Sequence, residues 1–222
     1  MLTNTEKKFS ILFILIVIAD TICNNIEGLS SLKFISKPAI LTSLIIFFWI
    51  NSNHLLSKTR NLMLLALSFS LLGDVLLMFV HKSANFFISG LISFLIAHIM
   101  YIFVFLKNRN HKKNTLLFSG ILLIYGASIF YFLHDGLGDL FIPVLIYMTI
   151  ILLMANTAFS RKGSVPILSY NLVLIGAILF IISDSLLAIN KFYQPIYLAH
   201  TNIMFTYTLA QLFIVFGVKK QR

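Results

Sequence analysis

The sequence predicts an all-α polytopic membrane protein, a bundle of eight transmembrane helices, and three observations carry that prediction. Hydrophobic residues make up 59% of the 222 positions and charged residues only 11%, with a mean hydropathy of +0.96. The apolar residues gather into runs of about 20, the length a helix rising 1.5 Å per residue needs to cross a hydrocarbon core of roughly 30 Å. The connections between the runs are short, so residues 1–222 read as a single transmembrane domain with no room for a soluble one.

The eight expected spans are 9–26, 34–50, 62–80, 86–106, 115–133, 140–159, 166–189 and 196–218. The first follows Lys7-Lys8, as a signal peptide would, but it ends in Asp20, Thr21, Cys23, Asn24 and Asn25 without a small-x-small cleavage pattern, so it is read as a retained helix. Cys23 is the one cysteine, which excludes an internal disulfide and a multi-cysteine metal site. Its residue type fits a small buried apolar position. Lys37-Pro38 marks the start of the second span, and Gly136 and Gly138, flanked by Asp135 and Asp139, read as the turn between the fifth and sixth.

Basic loops resist translocation, so Lys and Arg set the orientation. Lys7, Lys8, Lys58, Arg60, Lys107, Arg109, Lys112, Lys113, Arg161, Lys162, Lys219, Lys220 and Arg222 fall on one side, 13 of the 17 basic residues, and Lys33, Lys37, Lys82 and Lys191 on the other. Both termini are therefore expected in the cytoplasm of a multi-pass protein of the cell (inner) membrane. The net charge of +10 reads as topology and contact with anionic lipid heads. Nucleic acid is not an expected partner, because the charge is spread over loops and is not gathered into a patch with aromatics.

Two carboxylates stand out against this background. Asp74 lies in Ser70-Leu-Leu-Gly-Asp-Val-Leu-Leu-Met78 and Asp184 in Phe180-Ile-Ile-Ser-Asp-Ser-Leu-Leu-Ala188. An intramembrane carboxylate costs several kcal/mol if left charged and unpartnered, so it marks a functional site by default. A shift of 110 residues lays Gly73-Asp74 on Ser183-Asp184 and Tyr101 on Gln211, which suggests parallel repeats 1–110 and 111–222. Each aspartate lies seven residues before a basic boundary residue, His81-Lys82 or Lys191, about 10 Å below the non-cytoplasmic surface. The two acids are thus expected at one level, in a chamber open to the non-cytoplasmic half.

Other polar groups fall on helix faces that can reach such a chamber. His98 and Tyr101 are spaced i, i+3 on the fourth span, and His200, Tyr207 and Gln211 form one stripe on the eighth. Asp20, Asn24 and Glu27 share a face of the first, with Lys37 as a structural partner for Asp20. Each has a plain reading too: a lone membrane histidine, tyrosine or glutamine commonly glues helices together by hydrogen bonding. His54, His81, His111 and His134 read as loop or boundary residues.

Five motifs in order then resemble the YhhN family of eight-helix membrane proteins: Lys37-Pro38; Ser70-Leu-Leu-Gly-Asp74 with Leu77-Met78; Gly90-Leu-Ile-Ser-Phe-Leu-Ile-Ala-His98 with Tyr101; Gly176-Ala177 and Phe180-Ile-Ile-Ser-Asp184 with Ala188; and Tyr207-Thr-Leu-Ala-Gln211. The resemblance implies a lysoplasmalogenase, a hydrolase that cleaves the vinyl ether of a lysoplasmalogen to a fatty aldehyde and a glycerophospho-ethanolamine or -choline. The family's motif aspartates map onto Asp74 and Asp184. Protonating an enol ether at its β-carbon makes an oxocarbenium ion that water captures, which needs one acid and one anion. Two neighbouring carboxyls whose titrations are pushed apart can supply both, as in glycosidases.

The expected catalytic residues are therefore Asp74 and Asp184. The expected substrate-binding residues are Lys37 for the phosphate, Ser183 beside Asp184, and His98, Tyr101, Tyr207 and Gln211 lining the pocket. No metal or other cofactor is expected, and the partners are a lysophospholipid substrate and the bilayer, without an obligate protein. A metal-dependent lipid hydrolase using His98 and His200, and a proton-coupled transporter using the aspartates as relays, are the alternatives.

Overall fold

The computed structural model describes residues 2–221. The side chains of Glu27 and Ser30 lie outside the described residues, so the face expected for Asp20, Asn24 and Glu27 is described for the first two only. Eight α-helices follow one another: α1 (Asn4–Asn25), α2 (Lys33–Asn51), α3 (Ser57–Leu77), α4 (Ala84–Leu106), α5 (Leu116–Leu137), α6 (Phe141–Phe159), α7 (Ile167–Phe192) and α8 (Ala199–Lys219). Short 3-10 helices, Glu27–Leu32 and Gly138–Leu140, join α1 to α2 and α5 to α6. No strand occurs among the described residues beyond an isolated bridge between Lys162 and Val165.

Seven helical segments among the described residues are long and apolar enough to cross a membrane, one of them the 44-residue run Leu116–Phe159 that combines α5 and α6. The protein is thus an all-helical, multi-pass membrane protein. Within the long run the chain folds back on itself. Gly138 ends α5 at φ 47°, a left-handed conformation that a Cβ disfavours, and Phe118 near one end stacks on Phe159 near the other with ring centroids 4.3 Å apart.

The observed ends differ from the expected ones where local hydrogen bonding extends a helix past its apolar stretch. α1 starts at Asn4, five residues before the apolar run, because Thr3 and Glu6 form a capping box: the Glu6 amide donates to Thr3 Oγ1 at 3.2 Å and the Thr3 amide to Glu6 Oε2 at 2.8 Å. Pro38 lies inside α2, where it removes one backbone donor from the ladder.

The chain divides into two compact units, Met1–Tyr101 and Ile102–Arg222, with the division inside α4. In the first, Phe9 of α1 stacks on Phe47 of α2 at 4.1 Å, and α3 meets α4 at two glycines. A Cβ on Gly73 would lie 2.6 Å from the Phe94 ring, and one on Gly90 would lie 2.9 Å from Leu77. In the second, α7 and α8 approach almost backbone to backbone. A Cβ on Gly176 would lie 2.9 Å from the Ala210 carbonyl oxygen, and one on Gly217 would lie 2.9 Å from the Val173 amide nitrogen. Small residues at the crossing let apolar helices gain van der Waals contact where no hydrophobic driving force separates them from lipid.

Ser169 Oγ locks this crossing by donating to the Gly217 carbonyl at 2.6 Å. At the far end of the unit Leu133, Leu137 and Val144 form a buried cluster packed by Ala188, Ile189 and Phe192, which ties the α5–α6 turn to the end of α7. Substituting Gly176 by Ala should therefore lower thermal stability by about 1–3 kcal/mol through overpacking. Gly120→Ala, where no atom lies within 4 Å of the added Cβ, should be neutral or stabilising in the same detergent melting experiment.

Candidate active site

Asp184 is held by an interhelical hydrogen bond that the sequence did not announce. Tyr147, 9% exposed on α6, donates its phenol hydrogen to Asp184 Oδ2 at 2.5 Å. The two flanking serines point elsewhere. Ser183 Oγ donates to the Ile203 carbonyl of α8 at 3.1 Å, and Tyr125 of α5 donates to Ser185 Oγ at 2.9 Å. Successive helical residues are rotated by about 100°, so three consecutive side chains address three different neighbours: α8, α6 and α5. Ser183 is thereby engaged with α8, not with the carboxylate beside it.

Tyr207 and Gln211 extend the polar line along α8. Tyr207 is buried and lies edge-on to Phe180, with centroids 5.4 Å apart. Gln211 is fully buried one turn further on. Because Ser183 meets Ile203, and Phe180 meets Tyr207, each turn of α8 moves the polar groups about 6 Å from the level of Asp184 toward the α6–α7 turn.

In the first unit Asp74 is 3% exposed on α3, next to the Gly73 that Phe94 presses against. Phe94, His98 and Tyr101 share the buried face of α4, the latter two fully enclosed. α4 runs antiparallel to α3 across the Gly73–Phe94 and Leu77–Gly90 contacts, so His98 stands about one turn from the level of Asp74, on the side toward the start of α3.

Asp20, buried on α1, accepts a hydrogen bond from Ser36 of α2 at 2.7 Å. Ser36 is the chain neighbour of Lys37. Lys37 is half-buried on α2, and His200 is half-buried at the start of α8.

No group of three or more His, Cys, Asp or Glu side chains able to hold a metal ion occurs among the described residues. An open groove of about 440 Å³ runs between α5 and α6, walled by apolar residues including Leu122, Gly126, Met148, Leu152 and Leu153, with Asn156 toward one end. Gly126 and Met148 follow Tyr125 and Tyr147 in the chain, so the groove borders the helices that hold α7.

Tyr147 could not be singled out from sequence because it stands alone in an apolar stretch and its partner is 37 positions away. Removing its hydroxyl should show in melting experiments. Tyr147→Phe is expected to cost about 0.5–2 kcal/mol, the range for interhelical hydrogen bonds in membranes. Combined with Asp184→Asn, the loss should be less than the sum of the two single losses. Strict additivity would mean that the Tyr147 contact contributes nothing.

A profile described as the YhhN family matches residues 32–218. Two relatives are lysoplasmalogenases. TMEM86B of Homo sapiens is 33% identical over 128 residues, 58% of this chain and 52% of the relative. TMEM86A of Bos taurus is 29% identical over 171 residues, 75% of this chain and 68% of the relative. The chain thus spans about half the length of the first relative and about two thirds of the second. No solved structure matches the chain. The five motifs that carried the resemblance all fall within the matched segment, and the chain belongs to the YhhN family.

Proposed function

We propose that this protein is a lysoplasmalogenase-like hydrolase that cleaves the vinyl ether bond of a lysoplasmalogen, with Asp74 and Asp184 dividing the acid and anion roles. The observation that carries the reading is the similarity to two lysoplasmalogenases, at 33% and 29% identity, within a family match that contains both aspartates. The reaction needs a proton delivered to the β-carbon of the enol ether and an anion facing the oxocarbenium ion that results. Water then adds to that cation, and the hemiacetal collapses to the aldehyde and the glycerophospholipid alcohol.

The Tyr147 hydrogen bond supports an assignment of roles. The Tyr147 phenol donates to Oδ2 and so orients the Asp184 carboxylate, which suits it to face the cation or the incoming water. Asp74, 3% exposed on α3, takes the remaining role of proton donor in this reading. His98 and Tyr101 are proposed to serve Asp74 within the first unit, and Tyr207 and Gln211 to serve Asp184 within the second. Lys37, near the start of α2, is proposed to meet the lipid phosphate. The apolar groove between α5 and α6 falls within the size range of small-molecule sites and offers hydrocarbon-lined room beside the helices that carry Tyr125 and Tyr147.

The 44-residue run Leu116–Phe159 would extend about 66 Å if straight, twice the hydrocarbon thickness. With the stacking of Phe118 on Phe159, this supports eight spans, and the gathering of Lys and Arg in alternate loops supports both termini in the cytoplasm. Single cysteines placed at Lys112 and at Asp135, whose side chain is 90% exposed, in a chain with Cys23→Ser, should react with an impermeant thiol reagent from opposite sides of sealed vesicles. Reaction of both from one side would remove the eighth span.

Purified protein given lysoplasmalogen in detergent should release fatty aldehyde. Asp74→Asn and Asp184→Asn should each reduce the rate by at least about 100-fold, the lower range for loss of an acid–base group, while the proteins still purify as folded species. Tyr147→Phe is expected to slow turnover less than either. Wild-type inactivity on every vinyl ether lipid would overturn the assignment of activity, and full activity of both Asn variants would overturn the mechanism.

A further inference from the structure

Arg161, in the turn between α6 and α7, is fully enclosed, and no other Lys or Arg among the described residues is buried. Its Nη2 donates to Ser169 Oγ and to Gln221 Oε1, each at 3.2 Å, and the guanidinium lies 5.6 Å from the centre of the Phe105 ring. Among the described residues Nε and Nη1 are buried without an acceptor, so three of the five N–H groups of this cation have no hydrogen bond there. Burial pushes the guanidinium down from its ordinary value to about 10, which leaves it charged at neutral pH.

A buried charge without a counter-charge is expensive, and the acidic side chains of this unit are badly placed to supply one. Residues 102–222 contain three acids, Asp135, Asp139 and Asp184. The first two flank the turn at the opposite end of α6, which is 19 residues long, about 28 Å away along the helix. Asp184 is 15 residues past Ser169 on α7, about 22 Å further along.

The surroundings are instead arranged for an anion. Asn108 Nδ2 donates to the same Gln221 Oε1 at 3.1 Å, so two side-chain donors already converge on one neutral oxygen. Lys107, Lys162, Lys219 and Lys220 adjoin Asn108, Arg161 and Gln221 in the chain. The turn itself is pinned: Asn110 accepts nothing from it but donates its amide to the Ser160 carbonyl at 2.8 Å and its Nδ2 to the Lys162 carbonyl at 2.9 Å.

We propose that Arg161 and Asn108 form a phosphate site at the basic-loop end of the second unit, with Gln221 as its removable cover. One phosphate oxygen takes the position of Gln221 Oε1 and accepts from Arg161 Nη2 and Asn108 Nδ2. A second oxygen meets an N–H of Arg161 that now has no acceptor. The site lies at the end of α7 remote from Asp184, so a lipid held there by its phosphate is a structural or regulatory ligand distinct from the substrate. The shared chemistry is the phosphate group, supplied either by an anionic phospholipid headgroup or by the free ion.

The test is thermal unfolding of the full chain in a neutral detergent, titrated with phosphatidylglycerol, phosphatidylcholine or inorganic phosphate. Phosphatidylglycerol should raise the melting temperature, phosphatidylcholine should raise it less, and a rise with inorganic phosphate alone would assign the site to the free ion. Arg161→Met should abolish the response, and Asn108→Ala should raise the half-maximal concentration roughly tenfold, the worth of one hydrogen bond to a charged partner.

Gln221→Ala removes the competing oxygen and should lower that concentration. If Arg161→Met does not fold, the opposite shifts of the Asn108 and Gln221 variants carry the test. A wild-type protein indifferent to all anions, or variants that respond as the wild type does, would overturn the site.

Discussion

The second unit is organised around three adjacent side chains of α7. Ser183, Asp184 and Ser185 each reach a different helix, at the Ile203 carbonyl, the Tyr147 phenol and the Tyr125 phenol. In hydrocarbon these bonds have no competition from water, and their directions fix the rotation of α7 about its own axis. The glycine crossing at Gly176 and Gly217 fixes the remaining freedom, the distance to α8. Position and rotation of the carboxylate thus come from different interactions, one polar and one steric.

The residue before each aspartate does comparable work by different means. Gly73 admits the Phe94 ring of α4, whereas Ser183 bonds a carbonyl of α8. In both cases the position that precedes the acid is pressed onto the following helix, which leaves the acid itself turned toward another direction. The likeness of Gly73-Asp74 to Ser183-Asp184 in the sequence therefore has a local physical counterpart in each unit.

Much of the helical layout was legible in the sequence because length and apolarity alone decide what can cross a bilayer. The expected runs at 86–106 and 140–159 agree with α4 and α6 to within two residues. The misses lie where a polar contact outranks hydropathy. Thr3 and Glu6 start α1 five residues early. Asp74 and Asp184 were visible as isolated acids in apolar stretches. Tyr147 and Arg161 were not, since a lone tyrosine in a span and a lone arginine in a loop are ordinary until folding brings a partner near the first and withholds an anion from the second.

The near-contact of the α7 and α8 backbones carries a consequence for how a lipid could enter. Helices that interlock at Gly176 and Gly217, with Ser169 bridging them, leave no slack at those two points, so shear along their seam is opposed. They travel as one plank. Any breathing of this unit around Asp184 must therefore come from the helices opposite that plank, where phenol-to-carboxylate and phenol-to-hydroxyl latches can open without breaking a steric joint.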